Sequence, residues 1–324
     1  MPRLADKVEQ TPNLLSTFDF GLEVFKEKIP NNGEDSYLYM LSPRNGIFGV
    51  FDGCGGSGAK KYEKYQGKTG AYMASRVVSG ATRDWFIDYA LGNGTNDPAT
   101  LKQRIKQYLA LCREIGGGTT SFKGSMSKDF PTTAAIISVS TDNRSVYATC
   151  LWAGDSRCYL LDAEGLKQLT EDDLGGLDAM ENLTADGVLT NVISSSKDFE
   201  LHHKRITITK PALLFSATDG CFGYFSTPME FENLLLSSLR YSENVEEWEK
   251  AISAVLEEVA GDDYSLSGVA IGFGSFAKLK RSFEKRYSDL FVTYINGLEE
   301  KDQDEKLALW SSYKPTYTQY IKEG

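Results

Sequence analysis

Residues 47–56 read Ile47-Phe48-Gly49-Val50-Phe51-Asp52-Gly53-Cys54-Gly55-Gly56. The segment begins with a short apolar run rich in β-branched and aromatic residues, which predicts a buried strand. The run ends at the carboxylate of Asp52, and the glycines that follow allow the backbone to approach a ligand closely. Because an Asp-Gly pair is also typical of a turn, this segment alone leaves a metal or phosphate site and a plain turn both open.

The same arrangement, an apolar run beside acidic residues, occurs four more times. The segments are 145–153 before Gly154-Asp155-Ser156-Arg157, 213–218 before Asp219-Gly220, Gly261-Asp262-Asp263 before 266–273, and Gly33-Glu34-Asp35 before 37–40. If these strands share a sheet or a sandwich, their acidic ends can meet at one edge, where carboxylates repel one another unless a cation joins them. Oxygen ligands favour Mg²⁺, Mn²⁺ or Ca²⁺ over Zn²⁺, so the pattern indicates a two-metal hydrolase.

The order of these blocks carries a family resemblance. The blocks are Glu34-Asp35, VFDGCGG at 50–56, TTA at 132–134, GDSR at 154–157, SATDG at 216–220 and Asp262-Asp263-Tyr264-Ser265. Together they resemble the metal-dependent Ser/Thr protein phosphatases of the PPM (type 2C) family, over roughly residues 20 to 273. The resemblance implies an α+β fold, a four-layer α-β-β-α sandwich in which two antiparallel sheets are flanked by helices. It also implies hydrolysis of phosphoserine and phosphothreonine in proteins, with in-line attack by a water that bridges two metal ions.

The resemblance further implies roles for individual residues. Asp52 would bridge two Mg²⁺ or Mn²⁺ ions, with the Gly53 carbonyl on one of them, and Asp219 and Asp262 would hold the other. Asp155 would bind a third, weaker ion. The expected metal ligands are thus Asp35, Asp52, Gly53, Asp155, Asp219 and Asp262. Of these, Asp52 and Asp219 are the expected catalytic pair. Glu34 and Asp35 would act mostly through metal-bound waters, and Asp263 would support the ligands.

Two positions depart from the family pattern. The family usually has an arginine a few residues before its Glu-Asp pair, where it binds the substrate phosphate; here Pro30 lies five positions before Asp35. Lys28 is the nearest base and is the predicted phosphate-binding residue, although lysine lacks the bidentate fork of arginine. Cys54 stands where many members have a histidine, and nearby cations are expected to favour its thiolate, which cannot act as a general acid. These departures keep open an alternative function, a catalytically silent phosphatase-like module that binds a phosphoprotein or a regulator.

Composition narrows the remaining possibilities. The chain of 324 residues is 41% hydrophobic and carries a net charge of −10, which argues against a nucleic-acid partner. Its apolar runs are too short to cross a membrane, and its N-terminus lacks a signal-peptide pattern. Its five cysteines form no C-x-x-C pair. We therefore expect a reduced, cytoplasmic protein. The expected partner is a phosphorylated protein, the target of a Ser/Thr kinase. The two histidines, His202 and His203, are adjacent in a polar segment, where we expect solvated side chains and no Ser-His-Asp chemistry.

Local patterns predict the elements and their grouping. Residues 53–58 fit the G-x-G-x-x-G dinucleotide pattern, but the short turns between successive strands in 131–170 predict an antiparallel sheet, which argues against a nucleotide-binding fold. Asp97-Pro98, the Thr227–Glu230 capping box and Asn244 each predict the start of a helix. We expect a lead-in at 1–19, a catalytic domain at 20–275 and a helical extension at 276–324, which either packs on the domain or serves for docking or self-association.

Overall fold

The computed structural model describes residues 18–117, 128–142, 145–175, 180 and 187–321. The predicted lead-in, apart from Phe18 and Asp19, lies outside the described residues. The strands are β1 Phe18–Lys26, β2 Ser36–Leu41, β3 Asn45–Phe51, β4 Ala134–Thr141, β5 Val146–Ala153, β6 Arg157–Asp162, β7 Gly165–Gln168, β8 His202–Ile208, β9 Ala212–Ala217 and β10 Tyr264–Ile271, with a small ribbon of Lys61–Tyr62 and Lys68–Thr69.

Six longer helices accompany these strands in the described part of the chain. They are α1 Gly70–Ala90, α2 Pro98–Ile115, α3 Pro228–Tyr241, α4 Val245–Val259, α5 Phe276–Leu290 and α6 Gln303–Tyr317. Short helical turns occupy Gly55–Gly58, Glu63–Tyr65, Asp219–Phe222, Phe291–Ile295 and Leu298–Glu300. The predicted caps are confirmed: Thr227 and Glu230 form a capping box, and Asp97 and Asn244 accept backbone hydrogen bonds at the starts of α2 and α4.

The strands form two five-stranded antiparallel sheets. The first has the order β1-β10-β9-β6-β7 and the second has the order β8-β5-β4-β3-β2. Their inner faces pack against each other through residues such as Phe48, Ile137, Leu214 and Val269. Because β9 and β10 are covered on both faces, every residue in them is buried, including Ser216, Ser265 and Ser267.

Helices cover the outer face of each sheet. The pair α1 and α2 packs on the second sheet through residues such as Val78, Trp85 and Ile105. The other four helices pack on the first sheet, around Phe231 and Trp248. The predicted α+β sandwich with layers α-β-β-α is therefore confirmed.

The C-terminal helices α5 and α6 belong to the same apolar cluster as α3. Trp310 and Tyr317 of α6 are buried in it. The fully buried Glu232 of α3 accepts hydrogen bonds from Arg286 Nε (2.7 Å) and Nη2 (2.6 Å) and from the Tyr313 hydroxyl (2.5 Å). This segment thus packs on the sandwich, while the division of the chain into three units stays a prediction. Among the described helices, none combines the length and the apolar character that crossing a membrane requires.

Candidate metal centre

The acidic residues predicted from the sequence lie at strand ends of both sheets, and most of them line one cavity of about 620 Å³. The acidic residues on its wall that the sequence singled out are Glu34, Asp52, Asp155, Asp219, Asp262 and Asp263. Asp52 follows β3 of the second sheet, whereas Asp219 follows β9 of the first. Since both sheets contribute, the cavity lies where the edge of the sandwich opens to solvent.

Asp52 is held in place by the two threonines that precede β4. The Thr132 hydroxyl and the Thr133 amide both donate to the Asp52 carbonyl, at 2.7 and 2.8 Å. Next to it, a Cβ on Gly53 would come within 2.6 Å of the Ala71 carbonyl oxygen, so only glycine fits there. The Asp-Gly pair is therefore a rigid part of the cavity wall, and the TTA block is the sequence signal for its support.

Asp155 lies in the turn between β5 and β6. Gly154 has φ = +97°, which a residue with a side chain would adopt only under strain, and its amide donates to Asp173 Oδ2 at 2.8 Å. The other oxygen of Asp173 lies 2.9 Å from His202 Nε2. His202 is therefore paired with a carboxylate that fixes this turn, rather than freely solvated as we expected from its polar segment.

Asp35, which is not on the cavity wall, and Asp263, which is, both accept several hydrogen bonds. Asp35 is buried, and its Oδ2 accepts from the hydroxyls of Thr218 (2.9 Å) and Ser265 (2.7 Å). Asp263 accepts from the backbone amides of Lys28 (2.7 Å) and Glu34 (2.5 Å). Asp263 thus fixes the 28–34 loop. The neighbouring Asp262 is exposed and lines the cavity, and its Oδ1 accepts from the Asp263 amide at 2.8 Å.

Burial and mutual repulsion raise the pKa of several of these carboxyl groups. Burial, followed by the charge of Asp219, raises the pKa of Asp155 to about 7. The same pair of causes raises the pKa of Asp35 to about 8, against hydrogen bonds that lower it. The pKa of Asp52 is raised well above its usual range by burial and then by Asp219 and Asp35. The pKa of Asp219 is raised too, by burial and then by Asp262, and the exposure of its side chain moderates the effect.

This set of ligands fits a hard divalent cation, because it consists of carboxylate oxygens whose negative charges lie close together and are balanced by few basic side chains. In the part of the chain that the structure describes, no three His, Cys, Asp or Glu side chains are arranged tightly enough to hold an ion by themselves. Such a triad is not required for Mg²⁺, which keeps several waters and commonly takes only one or two carboxylates. Asp52, Asp155, Asp219 and Asp262 therefore suit ions that retain much of their hydration shell.

The basic residues around the cavity differ from the sequence-based prediction. The ammonium group of Lys28 contacts the Gly261 carbonyl, and Lys28 is not on the cavity wall. Arg157 is buried and forms a bidentate ion pair with Asp172 (3.0 and 2.6 Å). Lys128 and Lys197, which the sequence analysis did not select, do line the cavity. Whether Lys28 binds phosphate stays a prediction, but its side chain is engaged elsewhere.

Cys54 also lines the cavity, beside Asp52. Burial raises the pKa of its thiol well above the usual value, Asp52 and Asp155 raise it further, and Lys128 partly opposes them. These causes favour the neutral thiol in the metal-free chain. The expected effect of bound cations on Cys54 stays a prediction.

Comparison with known proteins supports the fold. No family model and no curated protein matches the sequence. Among solved structures, a bacterial serine phosphatase is 17% identical, with a TM-score of 0.55, covering 78% of this chain and 97% of its own. Stp1 from Staphylococcus aureus is 16% identical, with a TM-score of 0.56, covering 79% and 97%. PstP/Ppp from Mycobacterium tuberculosis is 15% identical, with a TM-score of 0.54, covering 78% and 98%. The PstP catalytic domain has also been solved with two manganese ions, and it matches at 15% identity with a TM-score of 0.51.

The chain therefore has the fold of the bacterial Ser/Thr phosphatases of the PPM family, the class that its sequence blocks resemble. At identities of 15–17% this likeness establishes the fold. The roles of individual residues in this chain stay predictions, and they rest on the geometry of the cavity.

Proposed function

We propose that this protein is a metal-dependent phosphatase that hydrolyses phosphoserine and phosphothreonine in other proteins. The observation that carries the proposal is the convergence of Asp52, Asp155, Asp219 and Asp262, from strand ends of both sheets, on one open cavity. The phosphatases with the same fold, and the manganese ions in the PstP catalytic domain, support this interpretation.

In this proposal Asp52, the Gly53 carbonyl, Asp219 and Asp262 hold two Mg²⁺ or Mn²⁺ ions, and Asp155 holds a third, weaker one. When bound, such ions supply Lewis-acid activation of water and offset charge on the phosphoryl oxygens. The chain's contribution is to fix the carboxylates before the substrate arrives, through Thr132 and Thr133 at Asp52 and through Asp173 at the Asp155 turn.

The further assignments follow from the same site. Glu34 and Asp35 would act mainly through metal-bound waters, and Asp263 would hold the loop that carries Glu34. The substrates would be phosphoproteins produced by a Ser/Thr kinase, and a cytoplasmic location would fit that role.

The test is phosphate release from p-nitrophenyl phosphate and from a phosphothreonine peptide by purified protein. We expect no turnover after treatment with EDTA and recovery on addition of Mn²⁺. Asp52→Asn and Asp219→Asn should each lower turnover about a hundredfold or more with an unchanged circular-dichroism spectrum. The matched control is Asp289→Asn, an exposed carboxylate on α5 whose loss should leave turnover unchanged.

Asp155→Asn separates the roles of the ions. It should lower turnover while calorimetry still detects tight Mn²⁺ binding, and a complete loss of Mn²⁺ binding would reverse the assignment. Full activity after exhaustive chelation would contradict the metal-dependent mechanism. Binding of the phosphopeptide and Mn²⁺ without any turnover would instead identify the catalytically silent module.

A further inference from the structure

Lys128 is a basic residue on the wall of an otherwise acidic cavity. It lies in the segment that leads to Thr132, and the cavity places it with Cys54, Asp155 and Asp219. Within the described residues, no carboxylate forms an ion pair with Lys128, although several acidic side chains share the cavity with it.

Hydrogen bonds hold the backbone of Lys128 and Asp129 to two loops, which defines the position of Lys128 on the cavity wall. The Lys128 amide donates to the Ser57 carbonyl at 3.1 Å, which joins it to the glycine-rich loop after β3. The next residue, Asp129, is buried; its amide donates to the Ser196 hydroxyl at 3.2 Å, and its carbonyl accepts from the Ser195 amide at 3.0 Å. Lys128 therefore stands between two loops that border the cavity, with a half-buried side chain.

Two other lysines are weaker candidates for contact with a substrate phosphate. The Lys28 side chain contacts the Gly261 carbonyl outside the cavity. Lys197 lines the cavity but is exposed, and its neighbour Asp198, which also lines the cavity, pairs with Lys106 of α2 at 2.7 Å. A basic side chain on the cavity wall adds to the charge that offsets a bound phosphoryl group, and a lysine ammonium binds phosphate as a point charge.

We propose that Lys128, rather than Lys28, is the side chain that binds the phosphoryl group of the substrate. The proposal rests on the phosphatase function and adds to it the residue that replaces the arginine absent from this sequence. It makes Lys128 a substrate-binding residue, so its loss weakens binding of the phosphate more than it slows the chemical step.

The experiment compares Lys128→Ala, Lys128→Arg and Lys28→Ala, with Lys60→Ala as the matched control. Lys60 is an exposed lysine near the glycine-rich loop after β3, and its ammonium group lies over the Tyr62 ring. One readout is KM and kcat on a phosphothreonine peptide with Mn²⁺. The second is calorimetric binding of inorganic phosphate to the Mn²⁺-loaded protein, which requires no turnover. A third titration, with Mn²⁺ alone, verifies that each variant still binds metal.

Lys128→Ala should raise KM and weaken phosphate binding roughly tenfold or more, with a smaller change in kcat, as expected for loss of a charged hydrogen bond. Lys128→Arg should restore both constants, and Lys60→Ala should change neither. Unchanged phosphate binding in Lys128→Ala, or an equal loss in Lys28→Ala, would overturn the proposal. If the wild type binds phosphate and shows no turnover, the phosphatase function fails while the phosphate titration still tests Lys128.

Discussion

The buried carboxylate of Glu232 should be the main polar anchor of the C-terminal helices, and its removal should destabilise the whole fold. Glu232 is fully buried and accepts from two nitrogens of Arg286 and from Tyr313, which belong to α5 and α6. Glu232→Gln keeps the size of the side chain but leaves the Arg286 charge, whose side chain is only 14% exposed, without its counter-ion. Removing one partner of a buried pair costs about 3–5 kcal/mol.

We expect the lower end of that range, about 3 kcal/mol, because glutamine retains one acceptor oxygen and Arg286 keeps some contact with water. The assay is urea unfolding followed by tryptophan fluorescence, which also responds to the nearby buried Trp310. Asp289→Asn, which breaks the exposed Lys285–Asp289 pair on the same helix, serves as control and should cost under about 0.5 kcal/mol. A cost below about 1 kcal/mol for Glu232→Gln would refute the reasoning, since Arg286 would then be stable without a partner.

Two further predictions concern the cavity. With EDTA present, the free energy of unfolding should fall as the pH rises. Burial and Asp219 raise the pKa of Asp155 from 3.8 to about 7, so the folded state keeps a proton that the unfolded chain releases. The stability that this proton contributes is lost as the pH rises through 7. Asp155 alone should lower the free energy of unfolding by about 1 kcal/mol between pH 6 and 8. Thermal unfolding in EDTA should therefore show a lower Tm at pH 8 than at pH 6. An equal or higher Tm at pH 8 would contradict the predicted direction. Cys54→Ala should keep most activity toward p-nitrophenyl phosphate, whose good leaving group needs little acid assistance, and a large loss with intact Mn²⁺ binding would show that the thiol takes part in the reaction.

Much of this architecture follows from local sequence patterns. Apolar runs predicted β3, β9 and β10, and capping residues such as Thr227 predicted where helices begin. These patterns depend only on residues close together in the sequence, so they can be recognised without the structure. The convergence of Asp52 and Asp219 was predictable only on the condition that their strands share a sheet or a sandwich, and the structure meets this condition by stacking the two sheets.

The remaining features depend on contacts between residues far apart in the sequence. Lys128 reaches the cavity because its backbone is bound to Ser57, and the segment beside it to Ser195, and no local pattern reports either contact. The Lys28 side chain lies outside the cavity, where it donates to the Gly261 carbonyl, and this contact also joins residues far apart in the sequence. The raised pKa of the Cys54 thiol, caused by burial and then by Asp52 and Asp155, likewise depends on positions that the sequence does not give.

The pairing of β1 with β10 affects how the protein is made. In that pairing Phe18 lies opposite Ile271 and Lys26 opposite Tyr264, so the first described strand finds its partner only after most of the chain has been synthesised. The second sheet can close once β8 has left the ribosome, whereas the first must wait for β10. At ordinary translation rates β1 therefore spends roughly ten seconds or more without its partner, with its backbone groups open to pairing with other chains. The late synthesis of β10 thus makes β1 a segment that would benefit from protection by a chaperone.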